Sequence, residues 1–121
     1  MKKIIIAEDE PNLIEMYKLY FERAGYEVFI AENGNQCIEL AKSEKPDLIL
    51  LDIIMPKMDG WQTLTTLKGD PETKQIPILV FSNLGQTQEI QKGLDLGADD
   101  YVVKSDMTPK ELLEKVEQMI Q

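Results

Sequence analysis

The residues that decide the fold are Leu48-Ile49-Leu50-Leu51-Asp52, an unbroken apolar run that ends in a carboxylate. A short apolar run bounded by turn residues, here the stretch up to Asp59-Gly60, predicts a buried strand. In an open parallel α/β sheet, ligands bind beyond the carboxyl ends of the strands, so Asp52 is expected at the reactive edge. We interpret Asp52 as functional because a purely structural role would add little stability compared with the free-energy cost of desolvating its carboxylate.

Strand-like runs alternate with helical patterns along the chain, which is typical of repeated βαβ units. The predicted strands are Lys3–Ala7, Glu27–Ala31, Leu48–Leu51, Ile76–Phe81 and Asp100–Val103. Several of these runs are nearly continuous in apolar residues, as parallel strands covered by helices on both faces require. The run Glu27–Ala31 is weaker and is expected at an edge. The pattern therefore predicts a doubly wound α/β fold.

Helical patterns fill the intervals between these runs. Helices are predicted from Pro11 to Ala24, from Asn33-Gly34 to before Pro46, from Asp59 to Lys68-Gly69, from Gln86 to Leu96, and from Thr108 onward. The last is well specified, because Thr108 and Glu111 match a capping box. The fourth is the weakest, since Gly93 lies in its interior and only Ile90 and Leu94 are expected to point inward. We predict that this helix is mobile.

Composition limits the class of protein. The 121 residues are expected to form one domain, 1–121, large enough to bury a core without disulfides or a structural metal. Neither end shows a linker, a signal peptide or an apolar stretch long enough to span a membrane, so we expect a cytoplasmic protein. The net charge of −9 argues against direct nucleic-acid binding, which rests on clustered Lys and Arg.

Composition also limits the chemistry. The chain has no histidine and a single cysteine, Cys37, which excludes a Ser-His-Asp triad, a Cys-His pair, a His-ligated metal and an internal disulfide. We expect Cys37 to be a small buried apolar residue. Catalysis must therefore rest on carboxylates, hydroxyls, lysine or a hard cation.

Polar side chains follow or end four of the predicted strands. They are Glu8 and Asp9 after the first strand, Asp52 after the third, Ser82 after the fourth and Lys104 after the fifth. Carboxylates and a backbone carbonyl suit Mg²⁺. Lys104 and Ser82 could hold phosphoryl oxygens. The set therefore predicts attack by Asp52 on phosphorus, which would form an aspartyl phosphate.

Each of these residues also has a structural interpretation. Glu10 and Asp59, which follow strand ends as well, are expected to be helix caps. Asp9 could cap the first helix in the same way, although we interpret it as a metal ligand. A lysine after a strand is ordinarily a solvated surface residue. We therefore assign Lys104 and Ser82 to the site mainly because they follow strand ends in register with Asp52.

Along essentially its whole length the chain resembles the receiver domain of two-component response regulators. The motifs that carry the resemblance are Glu8-Asp9, the stretch from Leu50 to Gly60, Ser82, Gly97-Ala98-Asp99-Asp100-Tyr101 and Lys104. The resemblance implies a flavodoxin-like (βα)5 fold whose five parallel strands lie in the order 2-1-3-4-5.

The resemblance also implies a function. Asp52 would accept a phosphoryl group from a sensor histidine kinase or a histidine phosphotransfer protein. The ligands implied for Mg²⁺ are Glu8, Asp9, Asp52 and the backbone carbonyl of Ile54. Ser82 and Tyr101 would report phosphorylation by remodelling the face of the fourth helix, fifth strand and fifth helix, where a downstream protein or a second copy of the chain would bind. Apart from its own phosphorylation and dephosphorylation, the protein is not expected to be an enzyme.

Some positions depart from the family pattern. Ser105 stands where the family usually has a proline, often with a cis peptide bond, and a cis bond would cost about 3 kcal/mol here. Asn83 replaces a smaller residue after Ser82 and could alter the rate of phosphotransfer. Ile54 and Leu84 occupy positions that influence dephosphorylation, and because neither apolar side chain can orient an attacking water, we expect slow self-hydrolysis.

Two other functions are left open. A Mg²⁺-dependent phosphatase acting through an aspartyl phosphate would share the nucleophile and the metal, but Ile54 stands where that class normally has a second acid. A pseudo-receiver would keep the fold as an interaction module and would never be phosphorylated. Ser105 and Asn83 are compatible with this hypothesis, whereas the intact acidic cluster argues against it.

Overall fold

The computed structural model describes residues 1–55 and 59–120. Residues 56–58, which belong to the turn predicted after Asp52, and residue 121 lie outside the described residues. Strands and helices alternate as β1 Lys3–Ala7, α1 Pro11–Arg23, β2 Glu27–Ala31, α2 Gly34–Glu44, β3 Leu48–Leu51, α3 Gly60–Gly69, β4 Ile78–Ser82, α4 Thr87–Asp95, β5 Asp100–Val103 and α5 Pro109–Ile120. Within the described part of the chain, no helix has both the length and the apolar character needed to cross a membrane.

The five strands form one parallel sheet in the order β2-β1-β3-β4-β5. This order confirms the predicted topology and the edge position of β2. Ala7 pairs with Ala31 on one side and with Leu51 on the other, and Leu51 pairs with Val80. The carboxyl ends of the central strands are therefore level, and the residues that follow them meet at one edge of the sheet.

Apolar side chains cover both faces of the sheet, because successive residues of a strand point to opposite sides. Ile5 and Ile49 pack in a cluster that includes residues of α2 and α3. Ile4 and Leu48 pack in a second cluster that includes residues of α1 and α5. All four residues of β3 are buried, which explains why the run before Asp52 has no polar position.

Side chains cap α1 and α3 as predicted. Glu10 accepts the Leu13 N–H at 3.0 Å at the start of α1, and Asp59 accepts the Gln62 N–H at 2.9 Å at the start of α3. Because Glu10 caps α1, Asp9 is not needed for that purpose. Its carboxylate is left for the edge of the sheet.

The start of α5 matches the prediction, whereas the end of α1 differs by one residue. The capping box predicted for α5 is confirmed, since Thr108 Oγ accepts the Glu111 N–H at 3.2 Å and the Glu111 carboxylate accepts the Thr108 N–H at 2.9 Å. The helix α1 ends at Arg23, one residue before the predicted end, because Ala24 has left the helical conformation and forms the cap.

The strand β4 begins at Ile78, two residues later than predicted, and it extends through Ser82. The Ile76 N–H donates to the Thr73 carbonyl at 3.0 Å, so this residue belongs to the preceding turn. Pro77 has no N–H to offer the ladder. The apolar run alone could not distinguish Ile76, a buried turn residue, from a strand residue.

The helix α4 differs from the prediction in the residues that it buries. Ile90 packs against the core as expected, but Leu94 is 40% exposed and the buried residue is Gly93. A Cβ at Gly93 would lie 2.8 Å from Cδ2 of Tyr101, so the tyrosine ring occupies the space of the missing side chain. Mobility of α4 stays a prediction.

We expect Cys37 to resist thiol reagents while the protein is folded. Its side chain is fully buried, and burial raises the pKa of the thiol to about 12, so the reactive thiolate is scarce. A chromogenic disulfide reagent at mildly alkaline pH should label Cys37 only slowly, and immediately in concentrated guanidinium. Equally fast labelling under both conditions would contradict this prediction.

Candidate functional site

Three carboxylates converge at the carboxyl edge of the sheet. Glu8 and Asp9 follow β1, and Asp52 follows β3. The Asp52 N–H donates to the Ala7 carbonyl at 3.0 Å, and the Glu8 N–H donates to the Ala31 carbonyl at 2.9 Å, so the sheet fixes both backbones. One oxygen from each of the three carboxylates lies within 4.8 Å of the others, with Glu8 and Asp52 buried and Asp9 exposed.

Lys104 joins two of these carboxylates. Its Nζ donates to the Glu8 carboxylate and to Oδ2 of Asp52, the latter at 3.0 Å. The Lys104–Ser105 peptide bond is trans, and Lys104–Asp106 forms a short 3₁₀ turn. Ser105, which replaces the usual proline, therefore does not prevent the amine from reaching the site.

Burial and pairing set the charges of the site. Burial raises the pKa of Glu8, and this effect is only partly opposed by Lys104. Burial alone would lower the pKa of Lys104, but the hydrogen bond to Glu8 and the charge of Asp52 outweigh it, so the pKa of Lys104 is raised and the amine is charged at neutral pH. Three carboxylates thus face one ammonium group, and this oxygen-rich, negatively charged donor set fits a hard divalent cation.

The loop after β3 holds the other side of Asp52. The Ile54 N–H donates to Oδ1 of Asp52 at 3.2 Å, while the Ile54 side chain is 58% exposed. Gly60 closes the loop, because its N–H donates to the Ile53 carbonyl at 2.7 Å and a Cβ there would lie 2.3 Å from the Ile53 Cα. The role of the Ile54 carbonyl as a metal ligand stays a prediction.

Ser82 and Tyr101, the predicted switch residues, are connected through Leu84. Ser82 is fully buried at the end of β4, and its Oγ accepts the Leu84 N–H at 3.2 Å. The buried Tyr101 on β5 donates its hydroxyl to the Leu84 carbonyl at 2.5 Å, and burial raises the pKa of this phenol. Asn83, which lies between Ser82 and Leu84 in the sequence, is exposed. The movement of these residues on phosphorylation stays a prediction.

Two aromatic residues beside the site were missed by the sequence analysis. The Nζ of Lys104 lies 5.7 Å from the centroid of the Phe81 ring, and the Tyr17 and Phe81 rings are 5.4 Å apart and nearly perpendicular. The only sequence signal was the position of Phe81 immediately before Ser82. A search restricted to polar side chains overlooks such a contact.

The fold and the site together define a flavodoxin-like α/β protein with an acidic cluster and a buried lysine at the carboxyl edge of its sheet. A family model described as the response regulator receiver domain matches residues 4–117. The chain therefore belongs to the receiver domain family of two-component response regulators, and the resemblance noted from the sequence is confirmed.

Curated relatives agree with this assignment. PilH of Pseudomonas aeruginosa is 41% identical over 106 residues, which cover 86% of both chains. RpaA of Synechocystis sp., named a DNA-binding dual master transcriptional regulator, is 40% identical over 104 residues, covering 86% of this chain and 43% of RpaA. PhoP of Bacillus subtilis is 34% identical over 119 residues, covering 98% of this chain and 48% of PhoP. The chain thus spans less than half the length of these two regulators.

Solved structures confirm the predicted fold. The BeF₃-activated receiver domain of Klebsiella pneumoniae RstA superimposes with a TM-score of 0.91 at 30% identity, covering 99% of both chains. A two-component response regulator from Clostridium difficile gives a TM-score of 0.91 at 28% identity, covering 99% of this chain and 96% of that chain.

The contact between Gly93 and Tyr101 generates a prediction about stability. Gly93→Ala should lower the free energy of unfolding by about 1–3 kcal/mol, because the new Cβ forces the ring to move. In a Tyr101→Ala background the same change should instead stabilise the protein by up to about 1 kcal/mol, since alanine is the better helix former. Urea denaturation of the wild-type protein, the two single variants and the double variant measures both values. The same sign in both backgrounds would show that the ring does not limit this position.

Proposed function

We propose that the chain is a phosphorylation-dependent signalling switch whose Asp52 accepts a phosphoryl group from a sensor histidine kinase or a histidine phosphotransfer protein. The observation that carries this proposal is the position of Asp52, buried at the sheet edge, paired with Lys104 and adjacent to two further carboxylates. Residues 1–121 contain no histidine, so the phosphohistidine donor lies outside them.

The hydrogen bonds of Asp52 prepare it for in-line attack on phosphorus. Oδ2 is held by Lys104 and Oδ1 by the Ile54 N–H, which fixes the plane of the carboxylate. As an Asp52 oxygen bonds to phosphorus, the bond from phosphorus to the donor nitrogen breaks, and the electron pair leaves with the imidazole. Lys104 and the Ser82 hydroxyl then hold phosphoryl oxygens, so catalysis rests on positioning and charge.

The residues that would hold Mg²⁺ are Glu8, Asp9, Asp52 and the Ile54 carbonyl. When bound, the cation would offset the charge of the phosphoryl oxygens. Asp9 is exposed, which gives the cluster an open side toward solvent, whereas Glu8 is buried against Lys104. These residues therefore supply a few carboxylates rather than a closed cage, which is the arrangement that magnesium prefers.

The output of the switch is a protein contact at the surface formed by α4, β5 and α5. Ser82 and Tyr101 both hydrogen-bond to Leu84, so a movement of the Ser82 hydroxyl toward a phosphoryl group would disturb the hydrogen bond that holds the tyrosine inward. A downstream protein recognises the altered surface in the cytoplasm, and phosphorylation-linked pairing of two copies is a second use of it. No direct contact with nucleic acid is proposed for residues 1–121.

The two alternatives have weaker support. A small-molecule phosphatase would need a general acid to protonate its leaving group, and the corresponding residue is the exposed, apolar Ile54. A pseudo-receiver does not require Lys104 to bridge two buried carboxylates. In such a protein the ion pairs would add little stability to offset the free-energy cost of desolvating these groups.

Phosphorylation can be tested by measuring intact mass after incubation with acetyl phosphate and Mg²⁺. We expect the protein to gain one phosphoryl group, and we expect Asp52→Asn or a chelator to abolish the gain. Asp95→Asn, which neutralises an exposed acid on α4, is the matched control and should be phosphorylated normally.

A phosphoryl gain in Asp52→Asn would place the acceptor elsewhere. Failure of the wild-type protein to gain mass, both with acetyl phosphate and with a panel of autophosphorylated histidine kinases, would favour the pseudo-receiver.

We also expect phospho-Asp52 to be long-lived. The Ile54 side chain is exposed beside Asp52 and cannot hydrogen-bond to an attacking water, whereas an amide at this position could orient one. Ile54→Asn should therefore shorten the half-life of the phosphorylated protein, and Ile54→Val should not. The decay is followed by Phos-tag electrophoresis after removal of the donor. A half-life of seconds for the wild-type protein would contradict this expectation.

A further inference from the structure

Lys104 lies against a buried aromatic pair that the proposed reaction does not use. Its Nζ is 5.7 Å from the centroid of the Phe81 ring, which is only 4% exposed. The Tyr17 ring of α1 packs against Phe81 at 81° with 5.4 Å between the centroids. Both rings, with Glu8 and Asp52, line a cavity of about 10 Å³, which is no larger than one water molecule. The rings therefore close the buried side of the ion cluster.

We infer that Phe81, held in place by Tyr17, is a positioning residue that fixes the Lys104 ammonium group for phosphoryl transfer. This inference rests on the proposed function of Asp52. It adds a specific requirement: the residue before Ser82 must be aromatic for Lys104 to act at full efficiency.

The first argument is electrostatic. A lysine ammonium group within about 6 Å of a ring centroid is attracted by the ring quadrupole, and the attraction is stronger where water is excluded. Phe81 and Tyr17 are both buried, so the buried side of Lys104 meets a ring instead of solvent. A leucine at position 81 would exclude water as well, but it has no quadrupole to attract the cation.

The second argument concerns hydrogen-bond donors. A lysine ammonium group has three N–H donors, and Glu8 and Asp52 accept two of them. The ring attracts the charge without supplying an acceptor atom, so the third donor is left for a phosphoryl oxygen. The ring is also separate from the reacting atoms, and its attraction persists when an Asp52 oxygen becomes bonded to phosphorus.

The test compares two buried phenylalanines. Phe81→Leu removes the ring beside Lys104. Phe21→Leu is the matched control, because Phe21 is also buried, lies in the same core cluster and forms a similar perpendicular pair with Tyr26, at 5.6 Å. The measurements are the melting temperature, the affinity for Mg²⁺ by calorimetry, and the maximal rate of phosphorylation by acetyl phosphate at saturating Mg²⁺.

We expect both variants to melt at a lower temperature, since each loses buried aromatic packing. Only Phe81→Leu should lose maximal rate, by roughly 3- to 30-fold, while its affinity for Mg²⁺ stays unchanged. Phe81→Met, which keeps an apolar side chain without a ring face, should behave in the same way and serves if the leucine variant does not fold. Equal maximal rates for the position 81 variants and Phe21→Leu would overturn the inference.

A second readout does not depend on phosphorylation. The ring current of Phe81 should shift the NMR signals of the Lys104 ε-methylene group, and this shift should disappear in Phe81→Leu and persist in Phe21→Leu. Loss of the shift in both variants, or in neither, would overturn the inference. If the wild-type protein accepts no phosphoryl group while the shift follows this pattern, the proposed function fails and the contact between Phe81 and Lys104 stands.

Discussion

The ion cluster of Lys104 with Glu8 and Asp52 is the interaction on which the rest of the site depends. Two buried carboxylates are tolerable only because one ammonium group donates to both and because backbone N–H groups satisfy their other oxygens. The arrangement requires three strands, β1, β3 and β5, to end at the same edge, which the parallel register ensures. Removing Lys104 would leave uncompensated charge in the interior, so the same residue supports folding as well as the proposed function.

The second constraint is the space that α4 leaves for Tyr101. The inward ring position requires Gly93, because any side chain there would overlap the ring. The hydroxyl of Tyr101 and the hydroxyl of Ser82 then meet the two backbone groups of Leu84, one donating and one accepting. A change at the sheet edge thus has a short hydrogen-bonded route to the surface of α4 and β5. Gly93, which lowers the helix propensity of α4, is therefore also the residue that leaves room for the Tyr101 ring.

Most of the fold and the polar part of the site could be predicted because they depend on local patterns. Apolar runs located the strands, and the polar residues at strand ends became a site once a parallel sheet was assumed. The start of β4 was misplaced because a buried turn residue, Ile76, is as apolar as a strand residue. The inward role of Leu94 was wrong because the bulk of Tyr101, contributed by another element, decides which face of α4 is buried. Phe81 was overlooked for the same reason, because its inferred role depends on a contact with Lys104, a residue of another part of the chain.

Under the proposed function, the charge balance of the site would link cation binding to phosphorylation of Asp52. Three carboxylates face one ammonium group, so an incoming phosphoryl group, itself anionic, meets net repulsion unless a further positive charge is present. A cation held by these carboxylates would therefore favour the proposed phosphorylated state, and by linkage that state would bind the cation more tightly. Lys104 alone cannot provide this effect, because its charge is already shared by Glu8 and Asp52. If Asp52 is phosphorylated as proposed, the excess of carboxylates makes that phosphorylation conditional on a bound cation.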